Sequence, residues 1–262
     1  MNCFPIAPFT TEDNTLQSII SKPKQFVRNR FQSFYNSVND RIIMGQTTSK
    51  EASTQRQQPQ EQQQPQQDEI ASTPLSTSSI SNKLALGAGC YWGTEKYVRK
   101  DFQKLYPNSI KSCQVGFMAP GEARWKNPTY KQVCTGASGH IEVLYIELNE
   151  PALHFEPLVQ FFFQFHDPTT HNRQGNDRGF QYASWIFCED AAQKAIAERV
   201  KSRLQNALND GKLKNCYSKK QVTTEVTQLT EFTPAEAEHQ QYLLKNPQGY
   251  CNHRMRFKSW PK

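Results

Sequence analysis

Apolar positions between residues 84 and 229 change period several times, and each change marks an element. Leu84-Ala-Leu-Gly-Ala-Gly89 is a continuous apolar run closed by glycine, the pattern of a short buried strand that ends in a turn. Residues 90–104 read as a helix, 109–117 as a strand, and the polar, irregular stretch up to Ser138 as a loop. Gly139–Leu148 is a long strand with mixed faces. Residues 155–165 place apolar side chains at 155, 158, 159, 162, 163 and 165, the stripe of a helix buried along one side. A strand at 181–188, an Ala/Lys/Arg-rich helix at about 190–208 and a strand near 222–229 follow. Thr233-Pro-Ala-Glu236 has the form of a capping box with proline at the first helical position, so a last helix is expected to start there. From 84 to 188 the order is β-α-β-β-α-β. That predicts an α+β domain with a ferredoxin-like split β-α-β core and extended loops, with no internal repeat.

The first 82 residues read differently. Residues 45–82 are rich in Gln, Ser, Thr and Pro, a tract with too little to bury, and are expected to be disordered. The organisation expected is therefore a disordered extension at 1–82 and a folded domain at 83–262 that ends in a mobile tail. Phe26–Tyr35 reads as a short basic amphipathic helix of the kind found in mitochondrial presequences. Glu12, Asp13 and Asp40 argue against that, because transit peptides are poor in acids. Met44-Gly45-Gln-Thr-Thr-Ser49 matches the N-myristoylation pattern, which matters only for a chain that starts at Met44; chance is the plainer explanation.

Composition sharpens this division. The chain is 36% hydrophobic with a mean hydropathy of −0.77, low values that a polar extension explains. The extension carries seven basic and seven acidic residues. The formal charge of +7 therefore falls on 83–262, where 24 basic residues face 17 acidic ones. No basic motif interleaved with aromatics accompanies it, so an ordinary basic surface is expected and nucleic acid is not an expected partner. Seven cysteines form no CxxC pair and no zinc-ligand spacing with histidine, so no metal is expected. With no secretion signal and no membrane-spanning run, the reducing cytosol is the expected location, and thiols there are structural or reactive.

Two residues carry candidate chemistry. Cys90 sits at a strand–glycine–helix junction, where helical N–H groups lower a thiol pKa and improve the nucleophile; a buried structural cysteine is the alternative. Alternation along 139–148 puts Glu142 on one face with Leu144, Ile146 and Leu148, a setting that raises a carboxyl pKa by desolvation and suits a general acid. A solvated Glu near a strand end is the plainer alternative.

Six motifs then occur in order: Gly89-Cys-Tyr-Trp-Gly93, Asn127-Pro-Thr-Tyr130, Gly139-His-Ile-Glu142, His166-Asp-Pro-Thr169, Gln174-Gly-Asn-Asp177-x-Gly179 and Gln181-Tyr182. Over residues 83–251 the chain resembles methionine sulfoxide reductase A, the peptide-methionine (S)-S-oxide reductase. The resemblance implies that Cys90 attacks the sulfoxide sulfur and that Glu142 protonates its oxygen. Tyr130 and Tyr182 would hold that oxygen, Asp177 would be a polar site residue, and Tyr91 and Trp92 would form the pocket for the substrate methyl group. It further implies a Cys90 sulfenic acid resolved by Cys251 in the tail, recycling by thioredoxin, oxidised proteins or free methionine sulfoxide as substrate, no bound cofactor, and a monomer. Three features depart from the family's usual pattern. Tyr91 stands where Phe is common, an extended loop follows Gly116-Phe-Met-Ala-Pro-Gly121, and Cys251 has no second cysteine near it. Two rivals exist. In a papain-like cysteine protease, His239 would pair with Cys90, although it falls in the expected last helix. A binding module using the Gln-rich tract would leave Glu142 and the paired tyrosines without a role.

Overall fold

The computed structural model describes residues 79–261. The helix expected at 26–35, the Met44–Gly45 motif and the polar tract up to residue 78 lie outside the described residues. In chain order the elements are β1 (Lys83–Ala88), α1 (Tyr91–Lys96), a π-helical turn (Tyr97–Phe102), α2 (Gln103–Leu105), β2 (Ile110–Met118), α3 (Tyr130–Cys134), β3 (Ile141–Leu148) and α4 (Pro151–Phe165). There follow β4 (Arg173–Gln174), β5 (Asp177–Arg178), a 3₁₀ turn (Phe180–Tyr182), β6 (Ser184–Cys188), α5 (Ala191–Asn209), β7 (Glu225–Gln228), β8 (Phe232–Pro234) and α6 (Tyr242–Lys245).

Six strands form one mixed sheet in the order β7-β6-β1-β3-β2-β8, with helices packed on it, while β4 and β5 make a separate hairpin. β1 is central. It pairs antiparallel with β3 (Leu86 opposite Leu144) and with β6 (Leu86 opposite Ile186). Its continuous apolar run follows from burial on both faces. Leu84 and Leu86 join Leu144 and Ile146 under α4 and α5, whereas Ala85 joins Ile141, Val143 and Phe187 on the opposite face. α4 supplies Phe155, Leu158, Val159 and Phe162 to the first of these clusters, all fully buried, each stabilising the fold by roughly 1.5–3 kcal/mol. The domain begins slightly earlier than the composition change implies. The Ser81 N–H donates to Asp190 Oδ2 at 2.6 Å, and the Leu148 N–H donates to Asn82 O at 2.8 Å.

Two local expectations are corrected. Thr233-Pro-Ala-Glu236 does not open a helix, because Phe232 and Thr233 pair with Met118 and Phe117 as an edge strand. Proline is tolerated there because β8 is an edge strand, where a residue whose N–H would face outward breaks no ladder bond. The Ala235 N–H then donates to Val115 O at 3.0 Å, and the chain turns before the short α6. A true capping box lies elsewhere, inside the stretch expected to be irregular: Thr129 and Gln132 cap each other reciprocally at the start of α3.

Candidate active site

Cys90 is the residue that caps α1, in a non-helical conformation (φ −56°, ψ 122°). The chain enters this position through Gly89 at φ 90°, and a Cβ on Gly89 would sit 2.4 Å from Gln174 Cβ, so only glycine fits the turn. The junction opens on a small pocket lined by Cys90, Tyr91, Trp92, Tyr130, Glu142, Asp177, Tyr182 and Tyr250. Five elements converge there. Tyr130 is the first residue of α3, Glu142 comes from β3, Asp177 from the β4–β5 hairpin, Tyr182 from the 3₁₀ turn and Tyr250 from the C-terminal segment. Cys251 does not line the pocket but follows Tyr250 directly. Among the described residues, no group of three or more His, Cys, Asp or Glu side chains is arranged to hold a metal ion.

Glu142 is 1% exposed, and its Oε2 accepts the Tyr91 backbone N–H at 3.1 Å. Burial pushes its carboxyl pKa up to about 8, with Asp177 adding repulsion and the Tyr91 N–H working against the shift. The direction is the one its apolar strand face predicts, and the carboxyl is protonated at neutral pH. The thiol expectation is corrected. Cys90 is 8% exposed, and burial, followed by the negative charges of Glu142 and Asp177, holds its pKa well above the ordinary value. The Trp92 N–H pulls the other way and is outweighed. The helix start is there, but desolvation wins. Burial likewise raises the pKa of Tyr130 and Tyr182, keeping both phenols protonated as donors.

Tyr91 and Trp92 meet the chain's end as well as the pocket. The Tyr91 hydroxyl is hydrogen-bonded to His239 Nδ1 at 2.9 Å, so the extra polar atom is partnered away from the pocket. Trp92 stacks on Tyr242 at 4.0 Å and on His239 at 5.6 Å. His239 lies in a turn rather than a helix and does not line the Cys90 pocket; its ring engages Tyr91, Trp92 and Tyr130. That arrangement does not pair His239 with Cys90 as a cysteine protease would need.

The C-terminal segment is seated on the domain rather than trailing from it. The Tyr250 hydroxyl donates to Asp177 Oδ1 at 3.0 Å, and Asn252 Nδ2 donates to Asp177 Oδ2 at 3.0 Å. His253 Nε2 donates to Ala88 O at 2.7 Å. The Arg254 and Arg256 N–H groups donate to Phe165 O and Gln164 O at 3.1 and 2.7 Å. Cys251 is thereby held half-buried, close enough to Cys90 for its charge to bear on that thiol.

Residues 82–260 match the family model described as peptide methionine sulfoxide reductase. The chain belongs to that family. Peptide methionine sulfoxide reductase MsrA 2 of Nostoc sp. is 41% identical over 169 residues, covering 64% of this chain and 69% of the relative. A probable peptide methionine sulfoxide reductase of Schizosaccharomyces pombe is 39% identical, covering 63% and 89%. Among solved structures, reduced Mxr1 from Saccharomyces cerevisiae is 34% identical at a TM-score of 0.58, covering 68% of this chain and 93% of that one. Methionine sulfoxide reductase A of Corynebacterium diphtheriae is also 34% identical, at a TM-score of 0.54, covering 67% and 79%.

Not every motif of this methionine sulfoxide reductase reaches the pocket. In His166-Asp-Pro-Thr169, the histidine bridges Phe162 O (2.7 Å) and Ser184 Oγ (2.8 Å), while Asp167 accepts from Thr169 and Ser218, so the motif holds the frame. One residue that lines the reductase pocket is not among those the sequence points to. Tyr250 reaches the pocket only because the tail folds back. His239, the histidine a cysteine protease would pair with Cys90, partners the Tyr91 hydroxyl instead, and the polar atom that Tyr91 adds to an apolar setting is the signal for that bond.

Proposed function

We propose that this enzyme reduces the S epimer of methionine sulfoxide, free or within oxidised proteins, and so repairs oxidative damage. The observation that carries the reading is the convergence of a thiol, a carboxyl with a pKa of about 8 and two tyrosines in one pocket. Cys90 attacks the sulfoxide sulfur, Glu142 delivers a proton to the oxygen, and Tyr130 and Tyr182 hydrogen-bond that oxygen as charge builds on it. Tyr91 and Trp92 take the methyl group, and Asp177 anchors the polar side of the pocket. The net step moves oxygen from substrate to enzyme: a thiol and a sulfoxide become a sulfenic acid on Cys90 and a thioether. Cys251 then displaces water from the sulfenic acid to form a disulfide, which thioredoxin reduces by dithiol exchange. No bound cofactor enters this scheme, and the enzyme acts as a monomer in the cytosol. The all-antiparallel run β6-β1-β3-β2 supports a ferredoxin-like core, with β7 and β8 added at its edges.

The test uses the separate S and R epimers of a blocked methionine sulfoxide, with thioredoxin, thioredoxin reductase and NADPH. NADPH consumption with the S epimer alone, abolished in Cys90→Ser, is expected. Turnover of both epimers, or activity retained without Cys90, would sink the reading.

A further inference from the structure

We propose that His253 is the base for the second half of the reaction, taking the Cys251 proton as that sulfur attacks oxidised Cys90. This rests on the resolving role proposed for Cys251 and gives that thiol a partner. The Ala88 carbonyl can only accept, so the 2.7 Å contact fixes the hydrogen of a neutral ring on Nε2. What remains is the Nδ1 lone pair, and Cys251 Sγ lies 3.9 Å from it, within reach of a thiol donor.

The ring is held in place. Phe165 lies 5.7 Å and Tyr97 6.3 Å from it, and the Tyr97 hydroxyl donates to His253 O at 3.4 Å. Beneath it is Gly93, where a Cβ would come within 2.0 Å of Nδ1. The base therefore rests against the helical turn that carries Cys90, the thiol its neighbour must reach. Burial opposes an imidazolium most, and the charges of Arg256 from the tail and Lys96 from α1 add to it, outweighing the Ala88 hydrogen bond. Together they lower its pKa to about 4. The ring is thus neutral and able to accept a proton throughout the working range of pH. Its low basicity places the expected gain at roughly 10- to 100-fold, at or below the bottom of the usual range for a general base.

The step balances without an outside oxidant. Cys251 gives its proton to Nδ1, the S–S bond forms, and the S–O bond of the Cys90 sulfenic acid breaks. The departing hydroxide takes a proton from Glu142 and leaves as water, and the imidazolium proton restores Glu142 through solvent. One sulfur is reduced as the other is oxidised.

The test follows disulfide formation after a single turnover, by rapid acid quench, thiol alkylation and peptide mass spectrometry, from pH 6 to 8.5. Wild type should show a nearly flat rate, because the base is neutral throughout. His253→Gln keeps a donor for Ala88 but cannot take a proton. It should form methionine at the wild-type rate, yet close the disulfide 10- to 100-fold more slowly at pH 7. Its rate should climb about tenfold per pH unit, because only thiol already ionised reacts. An unchanged rate in the variant overturns the proposal. So does uniform slowing without a change of slope, which marks a residue that only seats the tail. A tenfold-per-unit climb in wild type overturns it without any variant. If Cys251→Ser still recycles with thioredoxin, the resolving role itself is wrong, an outcome separate from these.

Discussion

Replacing Glu142 with Gln should stabilise the enzyme increasingly as pH rises, because the native fold forces a proton onto this carboxyl. Its pKa is near 4.5 in the unfolded chain and about 8 in the fold. Between those values the native state holds a proton that the unfolded state has released, so stability falls as pH rises. A gap of about 3.5 pH units corresponds to about 5 kcal/mol, lost progressively from pH 4.5 and complete above 8. At pH 7 the wild type has already lost most of this. The glutamine amide keeps an acceptor for the Tyr91 N–H but does not titrate. The stability difference, variant minus wild type, should therefore grow by about 1.4 kcal/mol per pH unit from pH 5 to 8 and then level off. Urea unfolding of both proteins under reducing conditions at each pH measures it, and subtraction cancels the groups they share. Parallel profiles would show that Glu142 ionises near its ordinary pKa and that its burial has no such cost.

The same variant should form methionine about 10²-fold more slowly in a single turnover, the usual scale for losing a general acid; a rapid-quench rate within threefold of wild type would leave Glu142 a structural group. Cys251→Ser should give one methionine per enzyme and then stall with thioredoxin, and oxidised wild type should yield a Cys90–Cys251 peptide pair by mass spectrometry. A pair joining Cys90 to Cys113 or Cys216 would reassign the resolving thiol. Tyr91→Phe should cost about 1–3 kcal/mol in urea unfolding, because buried His239 loses its partner, while the first-step rate stays the same; an unshifted midpoint would show the bond to be worth nothing.

Local geometry makes Cys90 and Glu142 legible in the sequence, and the motifs that carry the resemblance make Tyr91, Trp92, Tyr130, Asp177 and Tyr182 legible; all of them line the pocket. A glycine turn between an apolar run and a helix locates Cys90, and period-two alternation alone puts Glu142 beside Leu144 and Ile146. What escaped depends on distant chain. Thr233-Pro-Ala-Glu236 satisfies every local rule for a helix start, yet Phe117 and Met118 offer it an open strand edge, and pairing prevails over propensity. Thr129-Tyr-Lys-Gln132 carries the same signature in a polar stretch with little apolar periodicity, and there the local rule holds. The thiol shows the same limit in its electrostatics. Proximity to a helix start is visible in the sequence; burial beside Glu142 and Asp177 is not, and burial decides the sign.

That reversal changes how the proposed first step must run. With thiol and carboxyl both held protonated, the pocket carries its reacting groups in neutral form, and burial penalises any route through separated charge. Conversion of a thiol and a sulfoxide to a sulfenic acid and a thioether requires none, since one proton leaves sulfur and one arrives on oxygen. On the proposed route Glu142 serves both ends. As a donor it loses its proton to the sulfoxide oxygen, and as the carboxylate so formed it is the base for the thiol attacking beside it. Burial therefore acts twice. It raises the acid into the range where it is charged with a proton at pH 7, and it keeps the thiol unreactive until a substrate oxygen is in place to draw that proton away.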